Sequence, residues 1–567
     1  MDKRTLLAIV LSMLVLFVYQ TFFVKPPPTK PAAPQQKEAV TPAPSAPTAP
    51  TTPPAPKETA AAPAQASVAK TAPAPQASAP EKDIPVETDL YKAVFTTRGG
   101  ALKSFQLKGY RTELPEARRY TLDALLGLFG FKEKAARPAL PVELVHVQEG
   151  MTRPLAVTFP ESTVDVPAEG MYEADAGSID IVRSPDRNRL TFTHTHSSRV
   201  RVEKIFTFQP GKFAFDLEVR VHNLSATPIS QKALLGWHQF VDPKAETDSY
   251  THEGPVMYVA KAIDRQEVKK IDKEKLFGPD VSWGGFETKY FIASMIPQNP
   301  SLTSLIVSRD SRNLVTTSLS GPKNPIPAGQ AGLFSYAFFL GPKDYSILKA
   351  QGIGLENAID FGDWLKWLAM PMLIALKYLN EFVKNYGIAI ILLTILIKIL
   401  FWPLGNKSYE SMKEMQKLQP KMVELREKYK DDKQKLSQET MALYRAHKVN
   451  PMGGCLPMLI QIPVFFGLYK TLLYAIELRH APFFWWIQDL SAKDPYYITP
   501  IIMGATMFVQ QKMTPTAGDP MQQKIMLFLP IIFTFLFLNF PSGLVIYWLF
   551  NNILSIGQQY YVNKKHS

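Results

Sequence analysis

Ile388-Ala-Ile-Ile-Leu-Leu-Thr-Ile-Leu-Ile-Lys-Ile-Leu-Phe-Trp402 is the stretch on which the fold turns, because every side chain in it is apolar except Thr394 and Lys398. Such a run belongs in a bilayer, whose hydrocarbon core of about 30 Å is crossed by a helix rising about 1.5 Å per residue. A lysine in the middle of it costs about 2.5–3.5 kcal/mol to insert and therefore needs water, a partner or a task. The plain alternative is snorkelling, since Pro403 follows closely and a long side chain could reach the interface.

Polar residues on other apolar runs bear on that choice. Thr394 lies one helical turn before Lys398 and shares its face. Tyr547, Asn551, Ser555 and Gln558 recur at spacings of four, four and three, a polar stripe along the last run. Gln461 lies in a second run, and Gln510 and Gln511 end a third. No Asp or Glu within these runs could pair with Lys398, which argues against a proton relay or a buried ion pair. The economical expectation is a hydrated groove in which Lys398 is the fixed positive charge. Interhelical hydrogen bonds that merely hold the bundle together are the competing explanation for each Asn or Gln.

Five apolar segments are expected at 386–402, 453–475, 496–510, 525–540 and 543–562. A sixth lies at the start, where Asp2, Lys3 and Arg4 precede an uncharged run from Leu6 to Val24. That run is longer than a signal-peptide core and ends in Phe22, Phe23, Val24 and Lys25, so residues 1–25 read as an uncleaved anchor. Six crossings place both termini inside. The stretch 403–452 then faces the cytoplasm with an excess of Lys and Arg, as does the tail 563–567 with Lys564 and Lys565. The loop 476–495 lies outside and 511–524 inside. Pro457, Pro463, Pro500 and Pro530 interrupt the segments, and the run from Ile498 to Val509 is too short to span the core. The outer side is capped by Phe483, Phe484, Trp485 and Trp486.

Between the anchor and these segments the period changes. Residues 26–83 are dominated by Pro, Ala, Thr and Ser and read as a disordered tether. From 84 to 345 the period is two: Phe213, Phe215, Leu217, Val219 and Val221 alternate with Ala214, Asp216, Glu218 and Arg220. Many short strands of this kind predict a large antiparallel β-sandwich outside the cytoplasm. Residues 346–385 read as a linker and an amphipathic helix that carries Trp364, Trp367, Leu368 and Leu376 with Lys366, Lys377 and Pro371, lying in the membrane interface. Within 407–447, Met412, Met415, Leu418, Met422, Leu425 and Tyr429 recur at three and four before Asp431-Asp432 breaks the pattern, predicting a helical hairpin. Its methionines could pack together or receive varied apolar sequences, and its basic face suits ribosomal RNA or acidic targeting factors.

Composition narrows the function further. The 567 residues carry a formal charge of +13 and one cysteine, Cys455, which excludes a disulfide scaffold and a cysteine zinc site. No Walker A sequence or Gly-x-Ser-x-Gly element appears, and His194, His196 and His238 lack a third ligand, so no cofactor, metal or catalytic group is expected. A secondary transporter would explain Lys398 but requires an internal repeat or ion-binding carboxylates. A carbohydrate enzyme would explain the sandwich but not the basic hairpin.

Three long motifs carry a resemblance: SQETMALYRAHKVNPMGGCLPMLIQIPVFF at 437–466, DPMQQKIM at 519–526 and FPSGLVIYW at 540–548. The chain resembles the YidC/Oxa family of membrane protein insertases, in its Gram-negative form with a large periplasmic domain. That resemblance implies a six-crossing inner-membrane protein with a periplasmic β-super-sandwich and a five-helix core. It implies that nascent inner-membrane proteins are inserted and folded alone or beside the Sec translocon, with ribosome and targeting factors meeting the hairpin. Where the family usually has arginine as the groove charge, this chain has Lys398, which keeps the charge without the bidentate fork. Thr394 matches the family's functional threonine, and Trp548 stands where tyrosine is more usual. Client contacts would map near Ile462, Pro463, Phe466 and Leu536.

Overall fold

The computed structural model describes residues 80–115, 138–244, 251–362, 364–447, 449, 456–514 and 520–565. The expected anchor and nearly all of the tether lie outside the described residues, as do Cys455 and part of the loop 511–524.

Strands occupy the chain from Asp83 to Pro342. Their central element is Ala214–Asn223, in which buried and partly exposed side chains alternate without interruption. Phe215, Leu217, Val219 and Val221 are fully buried, so the two-residue period of the sequence is a true facial division. This strand pairs antiparallel with Val200–Phe208 on one side and Ala331–Pro342 on the other, inside a nine-stranded sheet. A five-stranded sheet built around Tyr91–Thr96 and Ala101–Arg111 supplies Phe95 and Phe105 to the same core. The Phe95 ring lies 4.7 Å from Phe206, and Phe105 lies 6.4 Å from Phe215. A second five-stranded sheet, containing Leu234–Phe240 and Ser304–Arg309, packs against the nine-stranded sheet at Gly284. A Cβ on Gly284 would fall 1.9 Å from Leu305 Cδ1, so only glycine permits that approach.

Nine α-helices follow among the described residues. They are α1 (Tyr345–Lys349), α2 (Lys366–Val383), α3 (Tyr386–Lys417), α4 (Gln419–Lys428), α5 (Lys433–Ala446), α6 (Leu456–Tyr474), α7 (Ile498–Met513), α8 (Pro520–Phe537) and α9 (Ser542–Lys565). Asn385 caps α3 by accepting from the Ile388 amide. Among the described residues α3 is the one helix long and apolar enough to cross a membrane by length and composition, and Met526–Phe537 is a shorter apolar helix.

Helix α3 departs from expectation. It continues through Pro403 to Lys417, so the first methionines of the expected hairpin extend the apolar segment instead of opening a separate helix. The break falls at Leu418, with Pro420 in the first turn of α4, where a missing N–H costs nothing. Asp432 then caps α5 by accepting from the Lys435 amide. Leu418, Met422 and Tyr444 form a small core of their own, apart from the main one.

One continuous buried cluster otherwise runs from the sheets through Leu355, Ala358 and Phe361 to Leu373 on α2 and Leu468 on α6. The linker is therefore packed. Lys366 and Lys377, expected on an interfacial helix, reach back to its partners: Lys366 donates to Asn357, and Lys377 pairs with Asp344 and Glu477, each at 3.0 Å. The exposed side of α2 carries Trp367, Ile374, Tyr378 and Phe382, with Trp364 just before it.

Candidate functional site: a lysine on a polar seam

Lys398 lies midway along α3, and its Nζ donates to Ser555 Oγ of α9 at 2.7 Å. Ser555 is fully committed, because its hydroxyl donates to Asn551 O at 2.7 Å and also hydrogen-bonds Tyr409 from α3. One turn along α9, Asn551 Oδ1 accepts from Gln461 Nε2 of α6 at 2.9 Å. Gln461 also meets the buried Tyr547 hydroxyl. The stripe read from residues 547–558 is thus a seam where α3, α6 and α9 share hydrogen bonds.

The same seam continues beyond Lys398. Gln558 Nε2 donates to Trp402 O at 3.1 Å and to Asn406 Oδ1 at 2.9 Å, on the turn that contains Pro403. Gly405 makes the room, since a Cβ there would lie 2.6 Å from Gln558 Nε2. Two residues absent from the sequence-based site, Tyr409 and Asn406, belong to this seam. Their signal was their spacing from Lys398 and Trp402 on a helix expected to stop at 402.

Other expected site residues fall elsewhere. Thr394 is buried, but its hydroxyl donates to Ile390 O within its own helix at 2.7 Å. Gln510 and Gln511 sit half-buried at the end of α7, where α9 makes contact through Gln559 Nε2 donating to Met513 O at 2.6 Å. Trp548 faces away from the polar stripe: its ring meets Phe465 at 4.7 Å and Phe537 at 5.2 Å, an aromatic cluster between α6 and α8. Ile462 and Leu536 are each 44% exposed, whereas Pro463 and Phe466 are half-buried. Leu536 shares its exposed surface with Phe528, Ile531, Ile532 and Phe535 on α8.

The end of the bundle where α9 begins is closed by backbone and carboxylate ties. Ser542 N and Gly543 N, opening α9, donate to Ala492 O and Leu490 O at 2.7 and 2.9 Å. Asp494 is fully buried and accepts from the Trp486 indole, the Tyr496 and Thr499 amides and the Thr499 hydroxyl at 2.6–3.1 Å. Those bonds hold the aromatic loop onto the start of α7. Chemically, the seam offers one ammonium whose hydrogen-bond partner among the described residues is a hydroxyl, and among those residues it forms no ion pair. Such a group attracts an anion without being neutralised beforehand.

The chain matches the family described as 60Kd inner membrane protein over residues 378–567. Residues 125–375 match the YidC periplasmic domain. It is 63% identical to the membrane protein insertase YidC of Syntrophus aciditrophicus over 566 residues, covering 100% of both chains. Identity to the membrane protein insertase YidC of Geotalea daltonii is 42%, over 100% of this chain and 99% of the other. A crystal structure of an active YidC insertase with its first transmembrane domain resolved aligns with 85% of this chain and 93% of its own, at 20% identity and a TM-score of 0.36. The two family matches define the class, an inner-membrane protein that carries a periplasmic domain. The chain belongs to the YidC family of membrane protein insertases.

Proposed function

We propose that this chain inserts and folds inner-membrane proteins by receiving the polar tail of a client at Lys398 while the client's apolar segment passes into lipid. The observation that carries the proposal is the Lys398 ammonium held between α3 and α9 by a serine hydroxyl, with no carboxylate paired to it among the described residues. A tail bearing Asp or Glu finds there the counter-charge it loses on leaving water. The client's apolar segment slides along Ile462, Pro463 and Phe466 on α6 and Leu536 on α8. Its transfer supplies about 0.3–0.6 kcal/mol per central Leu, Ile, Phe or Val, so no nucleotide is needed.

In this proposal the chain crosses the membrane six times with both termini in the cytoplasm, and its β-rich region is a periplasmic super-sandwich. The seam opens toward the cytoplasm and the lipid, and the loop tied by Asp494 and Ser542 closes it outward. The hairpin α4–α5 meets ribosomes and targeting factors, and the chain works alone or beside the Sec translocon. Photo-crosslinkers at Ile462 and Leu536 test this: both should capture a nascent single-span membrane protein, and Lys349 on α1 should not. Equal capture from all three positions would remove the client path.

A further inference from the structure

Over its last turn, from Lys470 to Tyr474, α6 is gripped by the linker that follows the β-rich region. Asp360, in the packed linker, accepts from Lys470 Nζ at 3.2 Å and from the Tyr474 hydroxyl at 3.0 Å through one oxygen. Its other oxygen accepts from the Gly362 amide at 3.2 Å, so the carboxylate is oriented on both sides. The linker is anchored in turn. Arg265 Nη2 donates to Ala358 O at 2.9 Å, while its Nε pairs at 2.7 Å with Glu287, whose second oxygen takes Lys343 at 3.1 Å. Glu287 and Lys343 are 1% and 2% exposed, where two strands of the nine-stranded sheet end. Thr471 of α6 adds a bond to Ala369 O of α2 at 3.0 Å.

Burial works to raise the Asp360 pKa, but the Lys470 ammonium and the Arg265 guanidinium outweigh it and hold the carboxyl at about 2. The tie therefore stays charged at neutral pH.

The partners on α6 have a telling spacing. Ile462, Phe466, Lys470 and Tyr474 stand four residues apart, one row that drifts by about 40° per step around the helix. Fixing Lys470 and Tyr474 fixes the rotation of α6 about its axis, and with it the direction in which Ile462 and Phe466 point. We infer that Asp360 is a positioning residue for insertion: it latches α6 to the β-rich region and sets the face that α6 turns to a client. This inference rests on the insertase function proposed above, and its test separates the two.

Single photo-crosslinkers at Ile462 and at the buried Val464 report the azimuth of α6 in the full chain with Cys455→Ser. With Asp360 intact, a nascent single-span protein should be captured chiefly from Ile462. Asp360→Asn should lower the ratio of Ile462 to Val464 capture by about fivefold, and Asp360→Glu should restore it. Lys470→Met should lower the ratio equally, and the double variant Asp360→Asn/Lys470→Met should do no worse than either alone. A general loss of folding would reduce both captures and leave their ratio unchanged. Spin labels at the exposed Lys323 and at Ile462 provide a client-free readout: a narrow distance distribution that broadens in Asp360→Asn. If no client is captured even with Asp360 intact, the insertase function fails and the latch stands or falls on that distribution. An unchanged ratio together with an unchanged distribution overturns the latch.

Discussion

Lys204 shows what burial does to a cation that has no acid beside it. Its Nζ is enclosed by Gly99 O at 2.7 Å, Leu155 O at 3.0 Å and Gly100 O at 3.4 Å, with the Tyr172 ring 5.4 Å away. Burial pushes its pKa down to about 7. An unfolded lysine keeps its proton to about pH 10.4, so between these values the unfolded chain holds the extra proton and stability rises with pH. The slope approaches about 1.4 kcal/mol per pH unit. Denaturant midpoints of the full chain in detergent, taken from pH 7 to 9, should therefore climb more steeply than those of Lys204→Met. Parallel slopes would mean that Lys204 titrates normally. The strand pattern at 200–208 marks this lysine, because it falls on the same face as Val200, Val202, Phe206 and Phe208. Lys398 is legible for a like reason, because its neighbours on both sides are apolar.

Among the elements, the strands were the most legible and the helix ends the least. Alternation at 213–221 survives as burial because a strand has only two faces. Pro403 misplaced the end of α3, since a proline commonly marks a boundary and here sits inside a helix. The polar seam was legible in α9 from its spacing of three and four, whereas Tyr409 and Asn406 depended on that misjudged end. The separate core of Leu418, Met422 and Tyr444 shows that part of the methionine stripe packs within the hairpin, while Met441 and Val423 remain exposed. Because that core is distinct from the main one, replacing residues 419–446 with a short Gly-Ser loop should leave the melting temperature within about 3 °C. Recruitment of ribosome-bound clients to vesicles should fall sharply, as co-sedimentation would measure. A collapse of the melting temperature would instead make the hairpin part of the bundle's core.

For the molecule as a whole, the junction between sheets and helices was the least legible feature. Asp360 and Lys470 are 110 residues apart, and neither periodicity nor composition relates them. Lys470 lies within a segment expected to cross the membrane, so it deserved the same question as Lys398: where is its partner? The answer, a carboxylate in the linker, makes that linker a packed junction continuous with both the sheets and the helices. Insertion by one half-buried charge, without nucleotide, is the claim on which the rest depends. It is tested most directly by reconstituting the purified full chain into vesicles and following protease protection of a single-span client whose translocated tail is acidic. Protection should exceed that of empty vesicles without any nucleotide, persist in Lys398→Arg and fall by about tenfold in Lys398→Glu. Equal protection with Lys398→Glu, or none above empty vesicles with the unaltered chain, would contradict it.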